Sequence, residues 1–131
     1  MKRFTQPLCL AFLILITLCS TAPAFEVTDG DMAGDSPFTV TVKNPVSPEL
    51  LGRFRSSDDS KNPFAYALEQ RDSGYVMFVK VGDKFSGWVK ATLDNESIVF
   101  GKKGDGRIFL EDGTVYRTFK GKLKTELHKQ D

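Results

Sequence analysis

The sequence predicts an all-β fold: a small sandwich or partly open barrel of two short antiparallel sheets, with about six to eight strands. Three observations carry that expectation. Runs rich in β-branched and aromatic residues recur between Phe38 and Phe119, such as Phe38-Thr39-Val40-Thr41-Val42 and Tyr75-Val76-Met77-Phe78-Val79. Gly, Asp, Asn, Ser and Pro separate them at short intervals, as turns do. No convincing long helix interrupts the series.

Taken in order, the chain opens with Lys2 and Arg3, an apolar run from Leu8 to Leu18, and Thr21-Ala22-Pro23-Ala24. That is the pattern of a secretory signal peptide over residues 1–24, cleaved after Ala24. An uncleaved anchor is the first rival, but the run is short for a span and is stopped by Pro23. Lipidation at Cys19 is the second, although Leu18 stands where a small residue is wanted. Residues 25–37, rich in Asp, Gly, Ser and Ala, read as a flexible lead-in. Asp29, Asp31 and Asp35 do not make a calcium loop, because Ala33 and Val40 fall where ligands are required.

Residues 38–119 then form the β domain. Phe38–Val42 is a strand ended by Pro45 and Pro48, and Glu49–Arg55 is the next. After the polar loop 56–63, Phe64–Arg71 sets Phe64, Tyr66 and Leu68 on one face and Ala65 and Ala67 on the other. Asp72-Ser73-Gly74 turns it into a hairpin with Tyr75–Val81. Gly82–Gly87 reads as a turn-rich connection, and Trp88–Leu93 as a strand burying Val89, Ala91 and Leu93. Ile98 and Phe100 face inward on the run after Asp94-Asn95. Arg107–Leu110 and Thr114–Phe119 close the domain as a hairpin about Glu111-Asp112-Gly113, where Asp-Gly tolerates positive φ. Residues 120–131, dominated by Lys, Glu and His, read as a frayed charged tail.

Removing residues 1–24 from the 131 leaves 107, enough for one modest domain. Cys9 and Cys19 leave with the leader, so the remainder holds no disulfide and relies on an apolar core. Charge falls to 16 basic against 17 acidic residues once Lys2 and Arg3 are gone, a net of −1. A near-neutral balance gives no reason to expect nucleic acid or a polyanionic lipid surface.

Motifs for chemistry are missing. His128 is the lone histidine and falls in the expected tail, where neither a zinc site nor a Ser-His-Asp arrangement finds rigid support. Gly101-Lys102-Lys103-Gly104 lacks the Gly-Lys-Ser/Thr ending of a phosphate loop and precedes a strand. Asp58/Asp59 and Glu111/Asp112 are neighbours that point apart or lie in turns. The expectation is a binding protein that is not an enzyme and has no cofactor and no metal.

The ordered set Leu50-Leu51-Gly52, Ala65-Tyr66-Ala67-Leu68, Val81-Gly82-Asp83-Lys84, Val89–Leu93 and Arg107-Ile108-Phe109-Leu110 resembles the periplasmic domain of the type II secretion C-protein family. It resembles equally the related PilP proteins of type IV pilus assembly, and it covers residues 50–110. The resemblance implies two three-stranded antiparallel sheets, no cofactor, and docking on the periplasmic domain of an outer-membrane secretin, coupled to inner-membrane assembly proteins. The leader departs from the family pattern, which has an uncleaved helix or a lipid anchor. Membrane association is therefore expected only if the signal stays uncleaved or Cys19 is lipidated, and the domain is otherwise free in the periplasm. The first domain strand, Leu51–Ser56, is the expected open edge, with Arg53 and Arg55 meeting a partner's acidic rim or acting as solvated gatekeepers. An alternative contact uses the aromatic turns around Phe85 and Trp88, as in an inhibitor or chaperone-like module.

Overall fold

The computed structural model describes residues 24–57 and 61–130. The expected signal peptide, apart from Ala24, lies outside the described residues, as do Asp58, Asp59 and Ser60 of the polar loop. No helix among the described residues is long and apolar enough to cross a membrane.

Ten strands form among the described residues: β1 (Val40–Asn44), β2 (Gly52–Arg55), β3 (Phe64–Arg71), β4 (Gly74–Val81), β5 (Phe85–Trp88), β6 (Ala91–Asp94), β7 (Ser97–Phe100), β8 (Gly106–Glu111), β9 (Thr114–Phe119) and β10 (Thr125–Lys129). They form one curled open sheet, a half-barrel, in the order β1-β6-β7-β8-β9-β10-β2-β3-β4-β5. The all-β class holds, while the strand number exceeds the expected six to eight and the two sheets are continuous. The joint is β10. Its Thr125–Leu127 pair with β9, and His128 and Lys129 pair with β2.

Alternation along the strands decides what the curl encloses. Phe64, Tyr66 and Leu68 enter the main core with Leu50, Met77, Leu93, Ile98, Ile108 and Leu127. Ala65 and Ala67 point to the opposite face, as their spacing predicts. Tyr66 is fully buried, and its hydroxyl donates to the Leu50 carbonyl at 2.8 Å. Burial pushes that phenol's pKa well up, so it stays neutral as a donor. Turn chemistry follows the sequence closely. Asp112 and Gly113 take φ of 52° and 79° between β8 and β9, and Arg71 pairs with Gly74 across the two-residue β3–β4 turn.

Three expectations, two of them about the ends, are corrected. Residues 25–37 are no flexible lead-in: Val27 and Met32 are buried at 1% and 4% exposure, against Ala65, Ala67, Val76 and Phe78 on the outer face of β3 and β4. Small side chains at 65 and 67 leave a shallow trough there, and the segment fills it. Residues 120–131 are no frayed tail, because Thr125–Lys129 make strand β10 with Leu127 in the core. The Gly82–Gly87 connection contains the start of β5, and Val89-Lys90 forms the corner before β6.

Polar contacts hold the N-terminal segment in place. Asp31 accepts the Thr28 amide at 2.9 Å, Thr28 Oγ1 accepts the Asp31 amide at 3.2 Å, and Lys80 Nζ lies 3.2 Å from Asp31 Oδ2. The Gln130 amide exchanges two hydrogen bonds of 3.0 Å with the Val27 backbone. Arg71 donates to the carbonyls of Met32 and Gly34. Desolvation raises the Asp31 pKa, but the Thr28 amide, the Lys80 ammonium and the Thr28 hydroxyl outweigh it and leave the carboxyl below its usual value. A group more acidic in the folded chain contributes fully above its unfolded pKa of about 3.9, and the contribution fades as pH falls through the lower folded value. The segment is expected to stay seated at mildly acidic pH and to loosen only below about pH 4. Trp88 packs on the same cluster, so its emission reads the release, and Asp31→Asn should remove that acid-dependent step.

Candidate docking surface

The edge expected at Leu51–Ser56 is not an edge. β2 pairs with β3 on one side and with β10 on the other, and the Gln130 backbone N–H adds a bond of 2.8 Å to the Arg53 carbonyl. Leu51 packs against the main core. Arg53 is spent within the chain: its Nε lies 2.9 Å from Glu69 and its Nη1 2.7 Å from Asp29. The Glu69 hydrogen bond, then that from Asp29, holds its pKa above the ordinary value despite burial. Arg55 Nε sits 3.9 Å from Glu26. The acidic rim foreseen for a partner is therefore supplied by this chain's own Glu26, Asp29 and Glu69. The open edge expected at Leu51, Arg53 and Arg55 is corrected on the ground of the β2 pairings.

Phe85 and Trp88 lie on β5, at one end of the sheet, and do not come together with Arg53 and Arg55 in one site. Trp88 is half-buried, its ring edge-on to Phe78 at 5.3 Å and capped by the Arg71 guanidinium at 5.3 Å. Phe85 remains 46% exposed, but its ring lies back along its own strand, about 3.4 Å from where a Cβ on Gly87 would stand. A four-residue strand with an aromatic laid over its glycine is a blunted edge.

The opposite end of the sheet is different. β1 is added parallel to β6, in register Val40↔Ala91, Thr41↔Thr92 and Val42↔Leu93, and it is the terminal strand. Val40 turns toward the core, while Thr41 through Asn44 are exposed. Asn44 Nδ2 donates to Asp94 Oδ1 at 2.7 Å and fixes the C-terminal end, where the register shifts between Val42 and Asn44. Val42 is 46% exposed and Phe38, two residues before the strand, 41%. Lys43 is the only charge on it. β1 thus presents an unpaired row of backbone groups with two apolar side chains beside it. Sequence reasoning found this strand but not its place at the edge, because a parallel pairing with a strand 50 residues later leaves no local signal.

One further cluster bears on chemistry. With β10 formed, His128 Nε2 lies 3.5 Å from Ser57 Oγ and His128 Nδ1 lies 3.7 Å from Glu126. The order of groups is that of a nucleophile, a base and an orienting acid. His128 and Glu126 are each about half exposed, and both separations exceed an ordinary hydrogen bond. Water competes at every point of the row, so it reads as surface side chains along a strand. Among the described residues, no group of three or more His, Cys, Asp or Glu converges as metal ligands do.

No protein-family model matches this chain, and neither a curated protein nor a solved structure does.

Proposed function

We propose that the chain is an exported protein-binding module that takes an extended segment of its partner onto β1, and that this partner is the periplasmic domain of a secretin in a type II secretion or type IV pilus system. The observation that carries the reading is the open β1 edge with Phe38 and Val42 exposed beside it. An added strand there gains main-chain hydrogen bonds, and the two apolar side chains give it places to anchor. The partner's identity rests on the resemblance of residues 50–110, and export rests on the leader. Docking is preferred to catalysis because the Ser57–His128–Glu126 row is solvated and loosely spaced.

Capture of the full chain by a secretin periplasmic domain tests the reading. Phe38→Asp with Val42→Lys removes both apolar anchors, and it is expected to weaken capture at least about tenfold, the scale of a hot-spot loss. Both side chains are exposed, so the fold should persist, as checked by Trp88 emission. Unchanged capture would remove β1 from the interface. Phe85→Ala in the same assay decides the inhibitor-like or chaperone-like alternative, since Phe85 is the exposed aromatic that reading requires.

A further inference from the structure

A second surface lies where the chain leaves its leader. Phe25, Phe64, Val81, Phe85, Phe119 and Leu123 contribute the apolar part of an open groove of about 1050 Å³. Lys61, Lys84, Arg117 and Lys122 stand around it and, among the described residues that line it, Asp83 is the one acid. One wall is the turn from Phe119 to Lys124. Lys120 and Gly121 take φ of 56° and 70°, the Lys122 amide closes the turn on the Phe119 carbonyl at 3.2 Å, and the Lys120 amide ties it to the Asp105 carbonyl at 2.8 Å. This holds Leu123 out at 95% exposure and Phe119 at 45%, between Lys120, Lys122 and Lys124.

Lys124 is engaged with Glu111 and Tyr116, and the Arg117 guanidinium lies 4.5 Å over the Phe64 ring. Lys61, Lys84, Lys120 and Lys122 are all exposed. So the chain is near neutral overall yet carries a local basic, apolar-tipped patch. A leucine almost wholly in water beside lysines is a poor element of a free surface and a good one at a lipid interface.

We infer that this groove and its Phe119–Lys124 turn rest on an anionic phospholipid surface, with Leu123 and Phe119 entering the headgroup layer and the lysines meeting lipid phosphates. Two observations select that occupant. The first is charge complementarity at an apolar tip. The second is position: Phe25, a lining residue, follows the apolar Leu8–Leu18 run by seven residues, a reach of at most about 25 Å for an extended chain. Before cleavage after Ala24, a leader still in the bilayer keeps the groove within that distance of the headgroups. The inference is independent of β1 and of the secretin reading, and it leaves the β1 edge for a protein partner.

The test uses the full chain reconstituted through its leader into vesicles of phosphatidylcholine alone or with one quarter phosphatidylglycerol, so that tethering is equal in both. Limited trypsin cleavage after Lys120 and Lys122 is followed by mass spectrometry, with Lys43 on β1 as the internal reference. The expected result is cleavage slowed about tenfold relative to Lys43 in the anionic vesicles only, restored by high salt. Lys122→Glu with Leu123→Asp, both exposed positions, should cleave after Lys120 at the phosphatidylcholine rate in either vesicle while Trp88 emission is unchanged. Equal cleavage in the two vesicles would overturn the inference. So would equal protection, without anionic lipid, by a soluble acidic peptide carrying Leu and Phe, which would assign the patch to a protein.

Discussion

Ending the chain after Lys124 is expected to unfold the domain or leave it aggregating. The seven lost residues include all of β10, which pairs with β9 through Thr125–Leu127 and with β2 through His128 and Lys129. Leu127 is buried at 3% exposure, and its removal alone costs about 2–5 kcal/mol. The Gln130 bonds to Val27 and Arg53 go too. Against a total stability of about 5–15 kcal/mol for an ordinary domain, that loss takes most of what holds the fold. It also bares β2 along its length, which turns an interior strand into a sticky rim. Urea unfolding followed by Trp88 emission measures the effect, and Leu127→Ala should shift it by about 3 kcal/mol. A truncated chain with the unchanged midpoint would make the tail dispensable.

Val27→Asp is expected to be nearly as damaging. Val27 is 1% exposed in the cluster with Met32, Ala65, Ala67, Val76 and Phe78, and its backbone is bound both ways by Gln130. A carboxylate there would lose its hydration inside an apolar cluster, so the N-terminal segment must lift off. Several kcal/mol follow from the lost burial and the uncovered apolar face. Release also frees Arg53 from Asp29 and Lys80 from Asp31. A red shift of Trp88 emission at neutral pH, with a lowered thermal midpoint, is the predicted outcome. An unperturbed spectrum would show that residues 25–37 do not cover the β3–β4 face.

How much of this was legible in the residues divides by range. β3 was legible residue by residue, because Phe64, Tyr66 and Leu68 alternate with Ala65 and Ala67 and two turns bound it. The β8–β9 hairpin was legible because Asp112-Gly113 is turn chemistry written locally. β10 was not. It holds one core residue, Leu127, among Glu, His and Lys, and its stability comes from two ladders whose partners lie 8 and more residues away. The N-terminal segment was missed for a similar reason, since Val27 and Met32 are two apolar residues in an acidic stretch. What they fill is created by Ala65 and Ala67, far along the chain.

The candidate site follows the same division. Arg53 and Arg55 were read as facing a partner's acids because alternation puts them on one side of a strand. It does, but the acids are Asp29, Glu26 and Glu69 of the same chain. Which strands end a sheet depends on global pairing order, so the open edge moved from β2 to β1. Phe85 kept its exposure and Trp88 did not, because only Trp88 has Phe78 and Arg71 to pack on.

Amide hydrogen exchange of the full chain, alone and with the secretin periplasmic domain, tests the docking account most directly. The account predicts slow exchange along β2 and β10 in the free chain, faster exchange along β1, and new protection at Thr41–Lys43 on partner addition with β2 unchanged. Fast exchange at Arg53 and Arg55 in the free chain, or protection gained there and not on β1, would contradict it.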